Sequence, residues 1–219
     1  VKGGRKGMNV VAVTRNKSIS VTTLHTVMTI SMYAMHKGVH VNYIFTEDGL
    51  KMLPKLIKSG ERIVWFDYGT NLDHDTIAKY IFAPMEKDIR VLVFPAVTEG
   101  IDWDMFRKKT EAGSSEPASQ RGLKFDTVVE KKPIGPSLYD VQSTSARVWM
   151  MDSKPVDKKV RGDPKVQRTL PTDSYDLLFS ALKAWGIRVA AVTSAVVVRH
   201  YTHECLGNIL EMPYIRHSA

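Results

Sequence analysis

The sequence predicts an α/β fold: one domain with a central mixed, mostly parallel sheet flanked by helices. Three observations carry that reading. Apolar runs of strand length alternate with helix-patterned stretches through the first half of the chain. The runs are apolar at consecutive positions, as in strands buried on both faces. Polar residues gather where each run stops, the edge at which open α/β sheets bind ligands.

The elements follow in order. "MNVVAVT" (8 to 14) reads as a first buried strand. In "SVTTLHTVMTISMYAMHKG" (20 to 38), Val21, Leu24, Val27, Met28, Ile30, Ser31 and Ala34 recur at helical spacing, and Lys37-Gly38 is a stop signal. "VHVNYIFTEDG" (39 to 49) is a second strand ending in acids. "GLKMLPKLIKSG" is a short helical segment interrupted at Pro54. "RIVWF" (62 to 66) and "IRVLVFPAV" (89 to 97) are further strands. Between them "DHDTIAKYIFAPM" opens with carboxylates suited to a helix N-terminus, Asp73 as cap and Asp75 in the first turn, and stops near Pro84. From Phe106 to Ser137 the pattern dissolves, which predicts a long surface loop with a short strand at "KFDTVV" (124 to 129). "SARVWMMD" (145 to 152) is strand-like, and "KPVDKKVRGDPKVQR" reads as basic and flexible. The last ordered pieces are a helix in "DSYDLLFSALKAWG" (173 to 186) and apolar strands in "IRVAAVTSAVVVRHY" (187 to 201), with a turn near Thr193-Ser194.

The composition, 43% hydrophobic and 25% charged over 219 residues, is that of a globular domain. No apolar run reaches the roughly 18 residues of a membrane span. The start, "VKGGRKG", lacks the apolar segment of a signal peptide and reads as a basic leader, part of a longer natural chain or a cloning remnant, with Met8 the better natural beginning. A single cysteine, Cys205, excludes an intrachain disulfide and a four-thiolate zinc site, and points to a reducing, cytoplasmic compartment, with the basic loops free to meet an anionic membrane peripherally. The net charge of +8 admits nucleic acid, a membrane surface or a phosphorylated small molecule as partner. The basic residues fall in loops and the four Trp in apolar segments, without the interleaved stripe of a nucleic-acid binder, so no nucleic-acid partner is expected.

Thr14, Arg15 and Asn16 follow the first strand, Glu47 and Asp48 the second, and Asp67 the third, so these segments can converge on one cleft. Carboxylates there can hold a hard divalent cation that in turn binds phosphate oxygens. Asp173 sits at a helix start, where an acid is a cap by default. His200 and His203 follow an apolar strand; at most one of them is expected to be a ligand.

Taken in order, these pieces resemble the GT-A fold nucleotide-sugar glycosyltransferases, particularly the family-2 type. That family opens with a strand, a polar loop, a helix and a second strand ending in "DDGS"; "VVAVTRNKS" and "YIFTEDG" stand in those places. Its next strand ends in an Asp-x-Asp metal motif, and "IVWFDYGTNLDHDTI" has that layout with Asp67 first. Its "GEDYDLCLRLRKAGYRVVYVPDAVVYH" pattern is similar to "PTDSYDLLFSALKAWGIRVAAVTSAVVVRH" (171 to 200), with Asp173, Asp176, Gly186 and His200 on the matching positions. Two departures stand out: Gly69 replaces the second acid of the metal motif, unless "DHD" (73 to 75) is the motif instead, with Asp67 preferred because it directly ends the strand, and Thr172 replaces the Glu before Asp173.

The resemblance implies a metal-dependent transferase that moves a sugar from a nucleoside-diphosphate donor, a UDP-sugar, to a hydroxyl of a glycan or glycoprotein, inverting C1. It implies Asp67 and His200 as ligands of Mn²⁺ or Mg²⁺. Asp48 would take the base, Thr14 and Asn16 the nucleotide and Arg15 a phosphate. Ser145 would approach the sugar, the 106 to 138 loop would close as a lid, and Asp173 would be the base that accepts the acceptor's proton. Residues 8 to 219 would form one domain, with a nucleotide-binding half over 8 to 100 and an acceptor half over 101 to 219. A weakly active nucleotide-sugar binding module and a nucleotidyltransferase are the alternatives; the second lacks its Gly-rich loop in "TRNKSIS".

Overall fold

The computed structural model describes residues 7–86, 88–162 and 168–200. Strand β1 (Met8–Val13) is buried at every position, as its unbroken apolar run requires. Helix α1 (Val21–Lys37) ends at Gly38, which takes the left-handed conformation of a helix stop, at φ 62°. Then come β2 (Val41–Thr46), a 3₁₀ turn (Gly49–Met52) and α2 (Leu53–Lys58). Pro54 lies in the first turn of α2, where a missing N–H breaks no bond, so it starts a helix rather than interrupting one. Strands β3 (Arg62–Phe66) and β4 (Thr70–Leu72) precede α3 (His74–Thr76), which runs on as a π-helical turn over Ile77–Ile81. The Asp73 carboxylate accepts from the Thr76 amide at 3.1 Å, the cap its position predicted.

Strands β5 (Ile89–Val93) and β6 (Val97–Ile101) lead into α4 (Trp103–Glu111), β7 (Leu123–Phe125), β8 (Thr127–Gly135) and β9 (Leu138–Thr144). The chain continues through β10 (Val148–Asp152), α5 (Ser153–Arg161), α6 (Tyr175–Ala184), β11 (Arg188–Val192) and β12 (Val197–Arg199).

Two stretches expected to be irregular are partly regular instead. Within the expected loop, residues 103 to 111 form α4, and β7 and β8 take up and extend the strand expected at 124 to 129, while residues 112 to 122 remain irregular apart from a 3₁₀ turn (Ala118–Gln120). Helix α4 buries no residue, so it carries no apolar stripe to read, and its start is fixed by the Asp102 carboxylate accepting from the Met105 amide at 2.9 Å. Strand β8 lies at the sheet edge with Lys131, Lys132 and Pro133 along it, the charges and imino acid that keep an edge from pairing further. The first part of the basic stretch forms α5 (Ser153–Arg161), which buries Val156 and Val160 under three exposed cations of its last turn.

Eight strands form one sheet in the order β2-β1-β3-β10-β5-β11-β9-β8. Pairings of β1 with β2 and β3, and of β5 with β11, are parallel; those of β10 and β9 with their neighbours are antiparallel. Thus β10 and β9 run one way and the other six strands the opposite way. Alternate residues feed two cores. Val11, Val13, Ile63, Trp65, Trp149 and Met151 pack with α2, α5 and α6, while Val10, Ala12, Val64, Phe66, Val148 and Met150 pack with α1 and the π-helical turn. Trp65 lies opposite Trp149 in the β3–β10 ladder, the rings stacked at 5.2 Å.

Candidate functional site

Because β1, β2 and β3 are parallel neighbours, the segments that follow them leave the sheet on one edge. Contacts tie these segments together. The Thr14 amide donates to the Thr46 carbonyl at 2.8 Å, and the Lys17 amide donates to the Glu47 carboxylate. Arg15 and Ser18 exchange backbone bonds across Asn16 and Lys17, both left-handed at φ 50° and 58°. Two consecutive non-glycine residues in that region are strained, and the turn holds Arg15 outward, its guanidinium 5.0 Å from the centre of the Tyr68 ring. Asp48 is exposed beside this turn, its amide donating to the Thr46 hydroxyl.

The turn after β3 is the hub. Asp67 is buried; one carboxylate oxygen accepts from the Tyr68 amide at 2.8 Å and the other is salt-bridged to Arg147. The pairing is a product of register: Val148 opposes Phe66, so Arg147 opposes Asp67, and the Asp67 amide donates to the Arg147 carbonyl at 3.0 Å. Burial alone would make Arg147 easier to deprotonate, but the hydrogen bond and charge of Asp67 override it and hold the guanidinium firmly cationic. Arg147 in turn lies over the Tyr175 ring at 5.5 Å, and the Tyr175 hydroxyl accepts from the Trp65 indole at 3.1 Å. Burial, followed by the Asp67 charge, pushes the Tyr175 phenol well up, so it stays neutral.

His200 reaches this hub through its backbone. Strand β12 pairs with β4, and the His200 amide donates to the Gly69 carbonyl at 2.7 Å. Gly69 is left-handed at φ +74°, and a Cβ on it would stand 3.0 Å from the His200 carbonyl oxygen. Asp173 is exposed two residues before Tyr175, and Ser174, not Asp173, is the N-cap position of α6. The Ser145 amide donates to the carbonyl of Asp126 at 2.8 Å. Contacts thus join the segments of Thr14, Arg15, Asn16, Asp67 and His200 around the turn after β3, and Asp48, Ser145 and Asp173 lie within two residues of Thr46, Arg147 and Tyr175, while His203 and Cys205 lie outside the described residues.

Asp126, which was not among the expected residues, lies next to the Ser145 loop. It is buried; one carboxylate oxygen accepts from the Ala96 amide at 3.1 Å and the Thr127 hydroxyl at 2.8 Å, and the other has no partner among the described residues. Burial pushes its carboxyl above the ordinary range, against the pull of those donors and of Arg199 and Arg147.

The donor set fits a divalent metal poorly. Such an ion needs several oxygen or imidazole ligands with free lone pairs. Among the described residues no three His, Cys, Asp or Glu side chains are grouped to share an ion. Asp67 is committed to Arg147, and position 69 has no side chain to give. Two open grooves lie elsewhere, one lined by residues including Lys131, Lys132 and Arg188, the other by residues including Arg90, Lys158 and Trp185.

No protein-family model matches the chain, and no curated protein does. Among solved structures, one of GalNAc-T7 with UDP, GalNAc and Mn²⁺ superposes at a TM-score of 0.50 with 10% identity, covering 91% of this chain and 44% of that one. The fold is GT-A-like. The chain thus spans less than half of that protein, and the GT-A-like sheet is what they share. A glycosyltransferase involved in glycosylating the major capsid of PBCV-1 superposes at 0.34 with 14% identity, covering 90% of this chain and 94% of that one, and adds nothing to the fold assignment.

Proposed function

We propose that this protein is a glycosyltransferase that moves a sugar from a nucleoside-diphosphate donor, a UDP-sugar, to a hydroxyl of a glycan or glycoprotein with inversion at C1. The observation that carries the reading is convergence. The ends of three parallel strands, the start of β10, the approach to α6 and the end of β12 meet around the Asp67–Gly69 turn of a GT-A-like fold. Thr14 and Asn16 line the nucleotide, Asp48 accepts from the base, and Arg15 meets a phosphate. The loop that carries Ser145 faces the sugar. Asp173, exposed and uncommitted to capping, takes the acceptor's proton as its oxygen attacks C1 from the far side. The resemblance implies Mn²⁺ here, but with the donor set described above no step is assigned to it. The departure at Thr172 favours a weakly active binding module as the second reading.

Thermal-shift titrations with UDP, GDP and CMP, followed by turnover with donor sugars, test the proposal. A nucleoside diphosphate should raise the unfolding midpoint. Asp173→Asn should keep that shift and lose transfer by about a hundredfold or more, the usual size of a general-base contribution. Binding without turnover in the parent protein would leave the binding module; no binding at all would overturn both.

A further inference from the structure

The sequence pattern puts a carboxylate at the place where a metal-dependent transferase grips the donor's diphosphate, but the structure presents a different group to solvent there. The Asp67 side chain is 7% exposed and that of Arg147, paired with it, is 39% exposed. What a ligand meets at the end of β3 is a guanidinium. We propose that Arg147, fixed by Asp67 and accompanied by Arg15, takes the place of the divalent cation, so that this protein grips a nucleoside diphosphate without metal. The proposal rests on the glycosyltransferase reading and specifies how that site handles charge.

Four features support it. Arginine has five N–H donors in a rigid fork, and one nitrogen of Arg147 is engaged with Asp67, which leaves donors for phosphate oxygens. The fork is held on two sides, by the Asp67 carboxylate and by the Tyr175 ring, so little freedom is lost when phosphate arrives. Arg15 stands on the ring of Tyr68, the residue next to Asp67, so two cations flank one turn. Position 69, where a second metal-binding acid would sit, is left-handed at φ +74°, and a side chain there would be strained and tight against the His200 carbonyl. In this arrangement Asp67 is a positioning residue: it orients the cation rather than chelating one.

In the transfer step the bond from sugar C1 to the β-phosphate oxygen breaks and its electron pair stays on that oxygen. The acceptor oxygen forms the new bond to C1 from the opposite face and releases its proton to Asp173. The charge left on the diphosphate is met by the guanidinium of Arg147, already in place and partly shielded from water, and by that of the exposed Arg15.

Calorimetric titration of UDP and GDP, each beside its parent nucleoside, tests this in EDTA and again in Mn²⁺. The wild-type protein should bind a diphosphate equally in both buffers, within about threefold. Arg147→Gln should weaken diphosphate binding at least tenfold while nucleoside binding holds, and Mn²⁺ should not restore it. Arg147→Lys, which keeps a cation but loses the fork, should fall between them. The split between nucleotide and nucleoside separates a lost phosphate contact from a damaged fold. Diphosphate binding by the wild type only in Mn²⁺ overturns this inference and leaves the transferase reading standing. So does an Arg147→Gln protein that binds as tightly as wild type once Mn²⁺ is added, because Arg147 would then be a plug over a metal site. If no diphosphate binds in either buffer, the transferase reading falls and this inference falls with it.

Discussion

At the scale of single residues, the rim is an arrangement of paired and unpaired charge. Gly69 shows how a departure from a motif can be structural. Its left-handed backbone and its closeness to the His200 carbonyl exclude any side chain without strain, an acid included. Asp126 is the opposite case, a carboxylate kept in a place that disfavours its charge. Its folded carboxyl holds a proton that the unfolded chain gives up at ordinary carboxylate pH. Over that window the native state binds the extra proton, so this group makes stability fall as pH rises. Asp126→Asn should remove that slope. Urea midpoints of both proteins, measured from about pH 4 to about pH 7, should differ most at the upper end. A constant difference would show that Asp126 titrates normally. Neither Arg147 nor Asp126 could be assigned from the sequence, for one reason. Arg147 matters because β10 lies against β3 in a register that sets it opposite Asp67, and Asp126 because of what buries it; local sequence encodes neither.

At the scale of elements, α1 separates pattern from burial. Its period predicts a helix with an apolar stripe from Val21 to Ala34, and the helix is there. The face against the sheet is made instead by Thr23, Thr26, Val27, Ile30 and Ala34, and Val21, Leu24 and Met28 point outward with Met32 and Met35. Thr26 is drawn in by polar work, its hydroxyl donating to Asn71 and accepting from the Leu72 amide at 3.1 Å to pin the helix to β4, whereas the buried Thr23 hydroxyl has no hydrogen-bond partner among the described residues. Ile30, fully buried, should lose about 2–5 kcal/mol of stability as Ile30→Ala, whereas Met28→Ala, at a position 59% exposed, should change it by about 0.5 kcal/mol or less, both read from denaturant midpoints. Element existence was legible wherever an apolar run or stripe met a core: β1, α1, β3, β10 and β11 are examples. It failed at α4, which meets no core, and at α5, whose two buried valines are outnumbered by cations. The rim itself was legible because parallel strands must discharge their following loops on one edge.

At the scale of the whole molecule, the sheet interleaves distant parts of the chain. Strand β10 sits between β3 and β5, and Trp149 stacks on Trp65 across that join. A fragment of residues 8 to 100 would carry β1, β2, β3 and β5 with no strand to join β3 to β5. Such a fragment should show no cooperative unfolding transition by circular dichroism, while residues 8 to 200 should show one. The same join sets a schedule for a chain emerging from the ribosome. Both flanking strands are out well before the strand that fits between them, so two open edges must be sheltered until Val148–Asp152 arrives. The Arg147–Asp67 pair forms in that same event, so the phosphate grip proposed above comes into being only when the central seam closes.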